Sequence, residues 1–104
     1  MDVARVRGRD LLNRVPEIIL KLILSYKFDY SKKAALFLRT SRFGDDDLIN
    51  VVRQGFVQKK QKDEKKKSRF KYTMLGPALD GTPMYLVGKK VSGRVFVITF
   101  HEVK

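Results

Sequence analysis

The stretch that decides the fold is Met84-Tyr85-Leu86-Val87-Gly88-Lys89-Lys90-Val91, then Ser92-Gly93-Arg94, then Val95-Phe96-Val97-Ile98-Thr99-Phe100-His101-Glu102-Val103. Both flanking runs are rich in β-branched and aromatic residues, and Ser-Gly between them is turn chemistry, so the segment reads as a β-hairpin. Its register matters because a slip of one residue exchanges the two faces. A two-residue loop sets Lys89 opposite Phe96. A three-residue loop, Val91-Ser92-Gly93 with Gly93 left-handed, sets Leu86 opposite Ile98 and Met84 opposite Phe100. The second is favoured because it keeps one face apolar.

Working outward, Arg69 to Leu75 alternates in the same way. Phe70, Tyr72 and Met74 point one way, and Arg69, Lys71 and Thr73 the other. Gly76-Pro77 ends this strand and Asp80-Gly81 marks a turn. Phe56 to Lys60 begins another strand. Residues 61–68 (QKDEKKKS) are too charged to pack and read as an exposed, mobile loop.

The first half reads as helical. Asp10 can cap a short turn holding Leu11 and Leu12. Pro16 suits a first helical position, with Glu17 beside it, and Ile18, Ile19, Leu22, Ile23 and Tyr26 follow at helical spacing. Ser31 can cap a second helix carrying Ala34 to Leu38. Gly44 followed by Asp45, Asp46 and Asp47 starts a third, with Leu48, Ile49, Val51 and Val52 as its apolar face and Gly55 as its stop. The expected architecture is α+β: two or three N-terminal helices on one face of a mainly antiparallel sheet of three to four strands, in a single domain.

The chain has 104 residues, with 23 Lys and Arg against 11 acids and a formal charge of +12. A field this positive attracts phosphates. An anionic membrane surface or an acidic protein would satisfy the same field. There is no cysteine and one histidine, which excludes disulfides and thiolate metal sites and argues against zinc. The apolar run Ile18 to Leu24 is far too short to span a membrane and has no signal-peptide cleavage site after it. A cytoplasmic protein with no membrane partner is the expectation.

With the favoured register, the face left uncovered carries Arg69, Lys71, Thr73, Tyr85, Lys89, Thr99 and His101, with Val87, Val95 and Val97 among them. Cleaving RNA through its 2′-hydroxyl needs a base, an acid for the leaving oxygen and cations for the phosphorane. His, Lys, Arg and Tyr supply those roles without a metal or cofactor, and Tyr85 can also stack a base. The plainer reading of each residue is a solvated strand face. Lys65, Lys66 and Lys67 suit solubility or nonspecific phosphate attraction, and Arg39 and Arg42 suit the C-terminal dipole of the second helix.

In order of elements, the chain resembles the small ribonuclease toxins of the Barnase–EndoU–Colicin–RelE superfamily. The resemblance rests on a helix with paired arginines, an acid-capped helix and a basic strand. A G-x-P-x-Y-L-V hairpin ending in V-I-T-F-H completes it. It is nearest the RelE- and BrnT-like branch and a related uncharacterised family, and Arg94 to Lys104 is similar to the end of MqsR-type toxins. It covers about residues 32–104. The resemblance implies a cofactor-free, metal-independent endoribonuclease of a toxin–antitoxin system, held inactive by a cognate antitoxin, itself expected to be acidic, and often acting on ribosome-bound mRNA. By the same resemblance Lys71, Tyr85, Lys89 and His101 carry the chemistry. Arg39 and Arg42, with Lys65, Lys66, Lys67, Arg69, Thr73 and Thr99, hold the RNA. Some relatives have a histidine at the start of the arginine helix, where this chain has Lys32-Lys33-Ala34-Ala35. Two other readings stand beside this one: a noncatalytic RNA- or DNA-binding module, and a basic interaction protein that docks an acidic partner.

Overall fold

Each helix forms where its sequence provides a start and an apolar stripe. The computed structural model describes residues 14–63 and 70–103. The expected turn at Asp10 to Leu12 and the lysine tract lie outside these residues. Helix α1 (Glu17–Leu24) follows Pro16 and buries Ile19 and Ile23. Helix α2 (Lys32–Thr40) is capped by Ser31, whose Oγ accepts from the Ala34 amide at 3.0 Å. Helix α3 (Asp45–Gln54) opens at Gly44, whose amide donates to Asp47 Oδ2 at 2.9 Å, and buries Leu48, Val51 and Val52.

Five strands follow from the rest: β1 (Phe28–Tyr30), β2 (Phe56–Lys62), β3 (Phe70–Pro77), β4 (Pro83–Val91) and β5 (Arg94–Glu102). They form one sheet in the order β1-β5-β4-β3-β2, antiparallel except for β1, which runs parallel to β5. The fold is therefore α+β with a mainly antiparallel sheet. The strand count exceeds the expected three to four because of β1, which is only three residues long. It is fastened to β5 by Arg94, whose Nε donates to Asp29 Oδ2 at 2.8 Å. The charged segment also differs from expectation. Gln61 and Lys62 complete β2 rather than joining a loop, and Asp63 beyond them is only 4% exposed.

The helices cover one face of the sheet. Ile19, Ile23, Ala34, Leu48, Val51 and Val52 meet Met74, Met84, Leu86, Val95, Val97 and Phe100, all buried. Fully burying one such side chain stabilises the fold by about 1.5–3 kcal/mol. Helix α3 lies on β3 at very close range: a Cβ on Gly76 would stand 2.3 Å from the Val51 carbonyl oxygen, and one on Gly55 2.1 Å from that of Leu75. Asn50 Nδ2 donates to the Pro77 carbonyl at 3.0 Å, and the Leu79 amide donates to Asp47 Oδ1 at 3.0 Å. These bonds tie the β3–β4 turn to the helix.

The hairpin register departs from the favoured one. The loop has two residues, Ser92 and Gly93, both at positive φ (49° and 75°), and Val91 pairs with Arg94. This is the primed turn that matches the twist of the strands, and it sets Lys89 opposite Phe96. Farther along, the pairing shifts between Val87 and Gly88: Gly88 meets Val97 and Val87 meets Thr99, leaving Ile98 as an extra residue. This β-bulge changes the phase of β5. Val95 and Val97, expected on the uncovered face, are instead fully buried in the core. Leu86 lies opposite Phe100 rather than Ile98, and Met84 opposite Glu102 rather than Phe100.

Candidate site on the open sheet face

Strand pairing arranges the face away from the helices in three transverse rows. The first is Gln61, Lys71, Lys89 and Phe96; the second Lys59, Thr73, Val87 and Thr99; the third Leu75, Tyr85 and His101. Neighbours within a row sit on adjacent strands about 4.8 Å apart, and successive rows lie two residues, about 6.6 Å, along the strands. Lys71, Thr73, Tyr85, Lys89, Thr99 and His101 thus share one face, as the alternation in the sequence implies. They are not one compact cluster. Four residues separate Tyr85 from Lys89, so the first and third rows lie about 13 Å apart.

At the His101 end, the imidazole stacks on Tyr85 with ring centroids 4.8 Å apart and planes at 18°. His101 Nδ1 lies 2.7 Å from the Glu102 carbonyl oxygen. A carbonyl only accepts, so this contact places a proton on Nδ1, and in the neutral ring Nε2 is then the acceptor. Both rings are half-buried, which limits their motion while leaving their polar edges in reach of a ligand.

At the other end, Lys89 Nζ lies 2.7 Å from Asp63 Oδ2, with the two side chains 18% and 6% exposed. This ion pair spends the Lys89 charge inside the protein. Lys89, expected to take part in the chemistry, thus stands paired with Asp63 in the wall of this face. In the sequence Asp63 reads only as one acid within a lysine-rich tract. The signal that could have revealed it is its position: beyond the end of β2, it lies next to the first row. Lys71 is half-buried in the same row. Together Gln61, Lys62, Asp63, Lys71, Lys89, Phe96 and Ile98 line a hollow of about 570 Å³. Phe96 faces it because the two-residue turn pairs it with Lys89, and Ile98 is the extra residue of the bulge.

The remaining residues expected to hold RNA are scattered. Thr73 is only 6% exposed and lies within the sheet face rather than at its surface. Thr99 is half-buried in the middle row. Arg39 is exposed on α2. Arg42 donates to Asp80 Oδ2 at 3.0 Å and to Thr82 Oγ1 at 3.1 Å, and its guanidinium lies 4.3 Å from the Phe43 ring centroid. Hydrogen bonds from Thr82 and this guanidinium hold the Asp80 carboxyl down at about 2. Arg42 thus braces the β3–β4 turn. Lys65, Lys66, Lys67 and Arg69 lie outside the described residues.

The acidic start of α3 is likewise occupied by structural bonds. Tyr26 and Tyr30 donate to Asp46 and Asp45 at 3.2 and 2.5 Å, and burial with the Asp45 bond pushes the Tyr30 hydroxyl well above its ordinary range. A second hollow of about 590 Å³ lies between α1, α3 and the start of β2, lined by Val15, Leu20, Val52 and Phe56 among others. It holds none of the residues expected to act on RNA. Among the described residues, no helix is long and apolar enough to cross a membrane. No family model, no curated protein and no solved structure matches the chain.

Proposed function

We propose that the chain is a metal-independent endoribonuclease of the toxin type, with single-stranded RNA lying along the open sheet face. The observation that carries this reading is His101, stacked on Tyr85 with its Nδ1 on the Glu102 carbonyl and its Nε2 left to accept a proton. In the proposed step Nε2 takes the proton of a ribose 2′-hydroxyl. The 2′-oxygen attacks the adjacent phosphorus, the bond to the 5′-oxygen breaks, and that oxygen leaves with a proton from the Tyr85 hydroxyl, which solvent restores. The products are a 2′,3′-cyclic phosphate and a 5′-hydroxyl. Tyr85 fixes the imidazole plane and is the second proton-bearing side chain in the row. Lys71, about 13 Å away along the strands, grips a neighbouring phosphate rather than sharing the proton transfer. The protein acts in the cytoplasm, and an acidic antitoxin covers the cationic face.

The test is cleavage of a long, unstructured RNA by the purified chain in EDTA, with end-group analysis, on free RNA and on translating ribosomes. Fragments with cyclic phosphate ends support the reading. Retarded but intact RNA in both settings supports the noncatalytic binding module instead. That alternative draws on the separation of Lys71 from His101 and on the Lys89–Asp63 pair, which leave fewer free acid–base groups than the sequence suggested.

A further inference from the structure

We propose that the hollow beside the Lys89–Asp63 pair is a nucleobase subsite, which holds a nucleotide two rows along the face from the bond that is cut. This rests on reading the open face as an RNA surface, and it adds the determinant of base preference to that reading. The hollow, at about 570 Å³, is the size of a small-ligand pocket. Its chemistry is divided. Phe96 and Ile98 offer an aromatic face and an apolar floor, both partly open. The Lys89–Asp63 pair, joined at 2.7 Å, makes a polar wall whose charges cancel. Lys71 supplies a cation and Gln61 an amide that can both donate and accept. A neutral flat ring with an anionic tail matches this division. The ring stacks on Phe96, its edge meets Gln61, and the phosphate meets Lys71. A bare phosphate would meet Lys71 and Lys62 but leave Phe96 and Ile98 unused.

The local backbone supports the assignment. Without the bulge at Ile98, β5 would keep strict alternation, and a phase that buried Phe100 would bury Phe96 and Ile98 with it. The bulge lets Val95, Val97 and Phe100 fill the core while Phe96, Ile98, Thr99 and His101 all stay on the open face. One irregularity thus places both the aromatic floor of the hollow and the histidine on the same surface.

The experiment is a titration of the full chain with the four ribonucleoside 5′-monophosphates and, separately, ribose 5-phosphate. It follows the Ile98 methyl and Phe96 ring signals by NMR at low salt. The expected result is saturable shifts at both residues with at least one nucleotide, and binding of ribose phosphate weaker by at least about tenfold, the scale of a lost base stack. Phe96→Leu, which keeps an apolar side chain, should weaken the nucleotide about tenfold. Gln61→Ala, at an exposed position, should alter the ranking of the four bases and provides a second variant if the first fails to fold. Equal binding of ribose phosphate overturns the inference, as do shifts confined to Tyr85 and His101 or unchanged affinity in a folded Phe96→Leu. The two proposals fail separately. A chain that binds nucleotides at Phe96 but never cuts RNA keeps the subsite and loses the nuclease. A nuclease whose base preference survives Phe96→Leu keeps the chemistry and loses the subsite.

Discussion

Lys89 and Asp63 test the structural frame of the site. Asp63→Asn leaves an ammonium facing a neutral amide, and Lys89→Met takes the ammonium away from a buried carboxylate. The side chains are 18% and 6% exposed for Lys89 and Asp63, with 2.7 Å between Nζ and Oδ2. Breaking a buried pair from one side costs about 3–5 kcal/mol. Lys89 retains some solvent, so each single change should cost about 2–3 kcal/mol. For a domain of this size each kcal/mol lowers Tm by about 4–8 °C, so the single variants should melt about 8–24 °C below the parent. The double variant removes both charges and should return to within about 1 kcal/mol of the parent, a coupling of about 2 kcal/mol or more. Urea denaturation of the four proteins measures the cycle. Costs below about 0.5 kcal/mol for each single change, adding without coupling, would refute the buried pair.

Other outcomes follow from particular contacts. Gly76→Ala places a methyl 2.3 Å from the Val51 carbonyl oxygen and should destabilise by about 1–3 kcal/mol or more in denaturant unfolding. Ser31→Ala removes a cap on the Ala34 amide and a 2.6 Å bond from Ser31 Oγ to the carbonyl of the bulge residue Ile98. It should cost about 1–2 kcal/mol, and NMR should show Ile98 and Thr99 among the most shifted amides. Lys71→Ala should lower the slope of log affinity for single-stranded RNA against log salt by about 0.7, whereas Thr73→Val should leave it unchanged.

The parts of the fold legible in the sequence are those set by local chemistry. Helix α3 lies between Gly44 with its three aspartates and Gly55, and helix α2 starts at the Ser31 cap, because both starts satisfy orphan amides with nearby side chains. Alternation in β3 and β4 also places Lys71, Tyr85 and Lys89 on one face without tertiary information. Strand β1 is not legible this way. Three residues carry no periodicity, and Phe28 to Tyr30 become a strand only by pairing with β5. The bulge is equally hidden, since Val95 to His101 contains two alternations of opposite phase and only the core decides where they join. Thr99 and His101, beyond the bulge, fall where alternation puts them, and Val95 and Val97, before it, do not. The same change of phase concealed the hollow: Phe96 and Ile98 read as core, and Asp63 as solvent.

The central claim is that His101 moves a proton at the RNA backbone. Its most direct measurement is the single-turnover cleavage rate, in EDTA, of the parent and of His101→Ala, each with its RNA affinity measured in parallel. The account predicts a rate lower by about 10²–10⁴ in the variant, with affinity within about threefold and the cyclic phosphate product seen only with the parent. An equal rate in His101→Ala, or no cleavage by the parent on either free RNA or translating ribosomes, would contradict it.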